Sequence, residues 1–308
     1  MKEAIPVAQP ISRREFLKRS ASAVAAGTAA ASGLATTVQA ASGAKRVGMV
    51  IDLTLCDGCN ECSLACQRKN GHPINPNPQG LTPENYLYVQ SVSIDTPSGT
   101  QEVHIPRKCM HCDDPACAGL CPFSINTKTP EGPVVINEDY CLGGQKCKAV
   151  CPWGIPQLKK GVGFYKKLEP LPFGAGVMYK CDGCIDLVRA GEAPACVTAC
   201  PQGAIKFGSQ EAMRAYAHER AAAISGYVYG DQEAGGTSTY YVSAVPFAAI
   251  DAALAVQGEQ PRMPVNAENV LHGVNGMAQA LLIAPVAGIF AAGFAAHKKL
   301  TKGDEANE

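Results

Sequence analysis

The sequence predicts an α+β fold built from a repeated loop-and-strand unit in two related halves, with one apolar helix appended near the C-terminus. Three observations carry that expectation. Fifteen cysteines fall into four groups along 308 residues. Short β-branched runs stand beside the first, third and fourth groups, in Arg46–Ile51, Gly132–Ile136 and Gly203–Phe207. Finally, the 23 residues from Val274 to Ala296 carry no charge. A chain of this length with 46% apolar residues can build a core without cross-links.

The N-terminal 40 residues are set aside from the fold. Ser12-Arg13-Arg14-Glu15-Phe16-Leu17-Lys18 matches the twin-arginine export motif S-R-R-x-F-L-K. A weakly apolar Ala/Gly stretch follows to Val38, and Val38-Gln39-Ala40 offers a small-residue cleavage site. That route carries folded proteins, so groups bound by thiols are inserted before crossing. Many thiols and an oxidising compartment are then compatible.

Residues 41–246 hold the cysteines. The first group is Cys56, Cys59, Cys62 and Cys66, spaced C-x2-C-x2-C-x3-C. The second is Cys109, Cys112, Cys117 and Cys121, followed by Pro122. Cys141, Cys147 and Cys151, followed by Pro152, form the third, and Cys181, Cys184, Cys196 and Cys200, followed by Pro201, the fourth. Tight C-x2-C loops turn several thiolates onto one iron–sulfur cubane, and a helical turn after each C-x3-C carries the last thiolate away. Four cubanes take sixteen thiolates. The shortfall falls at Gly144, where the third group should have its second cysteine. Glycine cannot ligate iron, so this centre is expected as [3Fe–4S], beside three [4Fe–4S] clusters; a [4Fe–4S] centre capped by water or by an oxygen such as Asp139 is the alternative.

Disulfide frameworks belong mainly to small domains, and an odd cysteine count fits them poorly. Structural zinc, in a structural or adaptor protein, would use paired C-x2-C but leaves the three-cysteine run and the recurrent Cys-Pro unexplained.

Around the loops, residues 72–100 are expected to form a loop and hairpin. Residues 157–179 read as a Gly/Pro-rich connection, Ser209–Ile224 as a helix and Thr239–Val245 as a strand ending at Pro246. Residues 247–270 are expected to run as an extended arm into a transmembrane anchor at 271–297. Val274–Ala296 as a helix spans roughly 34 Å, enough for the hydrocarbon core. His297, Lys298 and Lys299 put the tail, 298–308, in the cytoplasm by the positive-inside rule and the cysteine domain outside. Pro285 should kink the span. Ala280, Ala284, Gly288, Ala292 and Ala296 form a small-residue stripe suited to a partner helix.

Net charge is zero and 18% of residues are charged, so no basic face for nucleic acid is expected. No phosphate loop, nucleophile elbow or HExxH is present. His111, inside a cysteine loop, is expected to pack beside a sulfur or hydrogen-bond to it. Trp153 is expected in the core near a cluster, and Lys108, Lys146 and Lys148 either offset cluster charge or are solvated.

The four groups, the 11 residues between Cys184 and Cys196, and the stretch from Gly235-Gly236-Thr237 to Val245-Pro246 resemble the four-cluster, ferredoxin-like iron–sulfur subunits of respiratory oxidoreductases. These serve formate dehydrogenases, dimethyl sulfoxide reductases, nitrate reductases and membrane-bound hydrogenases. With both termini considered, the chain looks most like the subunit of the periplasmic hydrogenase-2 type. The resemblance implies a tandem, pseudo-twofold bacterial ferredoxin-like domain and a non-catalytic electron carrier. Its partners would be the large and small subunits of a [NiFe] hydrogenase and a quinone-reactive integral membrane subunit, in the inner membrane facing the periplasm. A formate dehydrogenase or other molybdenum enzyme is the alternative catalytic partner. Family pairing implies clusters on Cys56, Cys59, Cys62 and Cys200; on Cys181, Cys184, Cys196 and Cys66; on Cys109, Cys112, Cys117 and Cys151; and an incomplete one on Cys141, Cys147 and Cys121. Gly144 departs from the hydrogenase-2 pattern; nitrate reductase β-subunits also lose a cysteine in the corresponding group and hold a [3Fe–4S] centre there, an analogy that puts the odd centre nearest the membrane.

Overall fold

A computed structural model describes residues 45–96, 99–164, 166, 176–258 and 261–272. The expected export signal at 1–40 and, apart from residues 271 and 272, the expected anchor and tail at 271–308 lie outside the described residues.

Strand β1 (Val47–Asp52) is buried along almost its whole length, which is why it reads as a continuous apolar run rather than an alternating one. It lies between β8 (Ile205–Ser209), antiparallel, and β10 (Thr239–Ser243), parallel; β9 (Tyr227–Tyr229) completes the order β8-β1-β10-β9. The first cysteine loop leaves the end of β1, and the fourth group ends just before β8. Their antiparallel register, with Ile51 opposite Ile205, therefore carries groups one and four to the same end of the sheet. Helix α6 (Gln210–Ala223) covers one face, and Ala217 and Ala221 let it lie close to Val50, Tyr240 and Val242. Its start is fixed by Ser209, whose hydroxyl accepts the Ala212 N–H.

The other half repeats the device on a smaller scale. Hairpin β4 (Asn126–Lys128) and β5 (Val134–Ile136) joins the end of group two to the start of group three. The long helix α1 (Glu61–Lys69) carries Cys62 and Cys66, and the one-turn helices α2 (Ala116–Gly119), α3 (Lys146–Ala149) and α5 (Ala195–Thr198) carry Cys117, Cys147 and Cys196, while α4 (Ile185–Arg189) starts directly after Cys184. The expected mixture of short strands and helical turns is thus present.

Three connections differ from expectation. The hairpin expected to end by residue 100 is β2 (Tyr88–Thr96) paired with β3 (Gly99–Arg107), reaching to the edge of the second cysteine group. The connection at 157–179 includes a second hairpin, β6 (Gln157–Lys160) with β7 (Gly176–Tyr179). The arm expected at 247–270 begins as helix α7 (Phe247–Gln257), and only 261–270 run largely without regular structure. Phe247, Ile250 and Leu254 share one helical face and are buried in the main core with Val89 and Val92 of β2. Among the described residues no helix is long and apolar enough to cross a membrane.

Candidate metal centres

The four cysteine loops share one backbone device. The residue before the second ligand position is left-handed in each: Gly58 at φ 78°, His111 at 50°, Gly143 at 67° and Gly183 at 72°. Such a turn aims successive amide N–H groups into a concavity suited to negative charge. Backbone amides do point at sulfurs: Gly183 N–H, in such a turn, at Cys181 Sγ at 3.4 Å, and Met178 N–H, from β7, at Cys141 Sγ at 3.3 Å. Backbone amides of Gly58, Trp153 and Ile155, and Ala195 likewise reach Cys56, Cys151 and Cys184.

Side chains from separate groups then meet. Cys56, Cys59 and Cys62 lie with Cys200; burial, then the neighbouring Cys200 and Cys59 sulfurs, pushes the Cys56 thiol up to about 11. Cys66 lies instead with Cys181, Cys196 and Cys184. In that set burial drives Cys196 to about 12 and Cys184 to about 11, with Cys181 adding to both, although Lys108 pulls Cys196 down. Cys112 and Cys151 lie with Cys109 and Cys117, and burial lifts Cys151 to about 12. Cys147 neighbours Cys117 and Cys141. Cys121, Cys141 and Cys147 line one cavity of about 230 Å³ together with Gly144.

This last set has three sulfurs and a glycine at the second position of the third loop. Gly143 and Gln145, at φ 67° and 56°, flank Gly144 as Gly58 and Asn60, at 78° and 61°, flank Cys59. The third loop therefore has the first loop's conformation at that turn without its sulfur. Gly144 is exposed, and Asp139, the sequence's candidate oxygen, is exposed and not among the residues lining the cavity.

The donor set suits multi-iron clusters. All fifteen cysteines are free thiols, and among the described residues no three metal-binding side chains converge as one ion requires. Sulfurs gathered into sets, each served by backbone N–H groups, are what a cubane with one thiolate per iron needs. When bound, such clusters supply one-electron carriers; the chain supplies their sulfurs, hydrogen bonds and burial.

Two lysines stand between the central sets. Lys108 is 2% exposed and Lys180 5%. Lys108 Nζ donates to Thr239 Oγ1 at 3.0 Å and the Cys109 carbonyl at 3.3 Å; Lys180 Nζ donates to the Val134 and Cys181 carbonyls. All these acceptors are neutral oxygens, while a buried ammonium needs negative charge nearby. Burial raises the Cys181, Cys196, Cys117 and Cys147 thiols, and the lysines oppose that rise, Lys108 at Cys181 and Cys196 and Lys180 at Cys117 and Cys147. Lys180 escaped the sequence reading, although Lys-Cys stands at both 108–109 and 180–181. Lys146 and Lys148 are exposed. Trp153, 1% exposed, donates its Nε1–H to Tyr229 Oη at 2.8 Å in the core beside Cys151. His111 is 4% exposed, with Nε2 3.7 Å from Cys181 Sγ.

Comparison with known proteins agrees with this chemistry. A model of the 4Fe–4S dicluster domain matches residues 100–170 and 172–210. The formate dehydrogenase-O iron-sulfur subunit of Escherichia coli K12 is 32% identical over 228 residues, 69% of this chain and 72% of that one. The hydrogenase-2 operon protein HybA of Escherichia coli O157:H7 is 30% identical over 247 residues, 67% of this chain and 72% of that one. The nitrate-inducible formate dehydrogenase iron-sulfur subunit of Escherichia coli K12 is 34% identical over 212 residues, 64% of this chain and 67% of that one.

Proposed function

Because the chain belongs to the ferredoxin-type 4Fe–4S family of oxidoreductase iron–sulfur subunits, we propose that it is a periplasmic, membrane-anchored electron relay with four clusters. Electrons pass between a catalytic partner, a [NiFe] hydrogenase, and a quinone-reactive integral membrane subunit. The observation that carries this reading is the crosswise gathering of fifteen thiols into three sets of four and one of three, the last ending at Gly144. In the proposal those sets hold three [4Fe–4S] clusters and one [3Fe–4S] cluster. The chain performs no bond-making chemistry; it holds each carrier at a fixed place and tunes its potential by hydrogen bonds, buried cations and exclusion of water.

The incomplete centre is proposed as the membrane-side terminus. Phe123 and Tyr140, at 63% and 60% exposed, border its cavity or lie beside it, and the Tyr140 and Phe164 rings stand 6.3 Å apart. Leu271, just before the expected span, lies against Gly119, two residues from Cys121, and His272 Nε2 is 3.0 Å from Asp114 Oδ2. An exposed aromatic patch beside that cavity supports contact with a membrane partner there.

The twin-arginine motif and the single C-terminal apolar segment favour the hydrogenase partner. Formate dehydrogenase is the second reading, favoured by the relatives at 32% and 34% identity. The native complex, purified in detergent through a tag on this chain, separates them by bleaching of the visible cluster absorbance. Bleaching under hydrogen alone supports the first reading and bleaching under formate alone the second. A cluster-containing complex that responds to neither refutes both partners.

A further inference from the structure

Three of the four loops place glycine at the left-handed position before the second ligand site, but the second loop places His111 there, at φ 50°. A residue with a β-carbon adopts that conformation at a cost of about 1–2 kcal/mol. The side chain must supply something that glycine does not. Its Nδ1 accepts the Val134 backbone N–H at 3.0 Å. That contact fixes the tautomer, because a neutral imidazole accepting at Nδ1 carries its proton on Nε2. Nε2 then faces Cys181 Sγ at 3.7 Å. Gly183 lies beneath the ring: a β-carbon there would stand 2.9 Å from the Pro133 side chain and 3.3 Å from His111 Nε2. Thus the backbone of His111 frames the set of Cys109 and Cys112, while its ring addresses a sulfur of the set containing Cys181.

Resting on the cluster assignment above, we infer that His111 is a positioning residue that donates its Nε2–H to the Cys181 sulfur and raises the reduction potential of the cluster held there. Reduction makes the ligand sulfurs more negative, so a fixed donor stabilises the reduced state more than the oxidised one. The donor couples the two central centres mechanically as well, because any shift of the Cys109–Cys112 loop moves it. A purely space-filling histidine would have neither effect.

The test uses the full chain in its native complex, labelled with ¹⁵N-histidine and reduced stepwise. Electron spin-echo spectroscopy is expected to show a histidine-nitrogen coupling on one reduced cluster. The coupling should vanish in His111→Asn, which retains a residue type that tolerates the left-handed turn. Potentiometry of that variant is expected to lower the midpoint of one centre, changing its oxidised-to-reduced ratio at fixed potential about threefold, or about 28 mV for one electron. Paramagnetic clusters without histidine coupling in the native protein overturn the inference, whether or not the variant folds. So does a folded variant whose four midpoints stay put or all shift together. A complex with no cluster signal at all removes the assignment itself, and this inference with it.

Discussion

Gly144→Cys tests the proposed three-iron centre by placing a cysteine at the third loop's glycine, at a cost that the local geometry sets. A β-carbon at Gly144 meets nothing within 4 Å, and the residue lies outside the left-handed region. Its neighbours reproduce the turn around Cys59. Replacing a glycine in a compatible conformation stabilises a fold by about 0.4–1 kcal/mol through the unfolded chain, so the variant should fold as well as the parent. By contrast, Gly143 cannot be altered as freely, because a β-carbon there would stand 2.6 Å from the Gly176 carbonyl oxygen. The new sulfur enters the cavity lined by Cys121, Cys141 and Cys147. The expected result is one additional iron per chain and loss of the oxidised-state paramagnetic signal characteristic of a three-iron centre, replaced by a signal on reduction. Iron analysis and electron paramagnetic resonance on the same preparation measure both. A folded variant with unchanged iron content and an unchanged oxidised-state signal would refute the assignment of the gap to Gly144.

Other perturbations probe the surroundings of the sites. Lys180→Met removes a buried cation beside Cys117 and Cys181; the midpoint of a central cluster should fall by on the order of 60 mV, a tenfold change for one electron, as read by potentiometry. Ile250→Ala empties a fully buried position in α7 and should cost about 2–5 kcal/mol in thermal or denaturant unfolding; a loss below about 1 kcal/mol would return this stretch to a peripheral arm. Glu131→Gln tests an exposed tie between the approach to β5 and α4. The hydrogen bond from Arg189 holds the Glu131 carboxyl below the ordinary glutamate range. Its contribution is therefore present above the unfolded glutamate value and lost as pH falls through the depressed folded one. The variant should be slightly less stable at neutral pH and match the parent in acid, and equal differences at both pH values would show that the pair contributes nothing.

The four cysteine loops were legible because their spacing is local, and each has the same left-handed turn before its second position. Helix α6 was legible for a similar reason, with Ser209 capping an alanine-rich run. Which groups share a set is a different kind of fact. Nothing in the spacing of Cys56, Cys59 and Cys62 points to Cys200; the antiparallel register of β1 and β8 brings them to one place, and the sequence suggested that pairing only through family resemblance. Helix α7 was missed although Phe247, Ile250 and Leu254 carry a helical stripe, because Pro246 read as an end when its fixed geometry also suits a helix start. The polar side chains show the deepest limit. Lys108, Lys146 and Lys148 looked equivalent in sequence, yet Lys108 is 2% exposed and the other two are on the surface. His111 and Lys180 act on sulfurs outside their own loops, so their roles depend on how the loops cross rather than on neighbours in sequence. Ligand identity is encoded locally, whereas the tuning of the ligands is encoded by the crossing of the two halves.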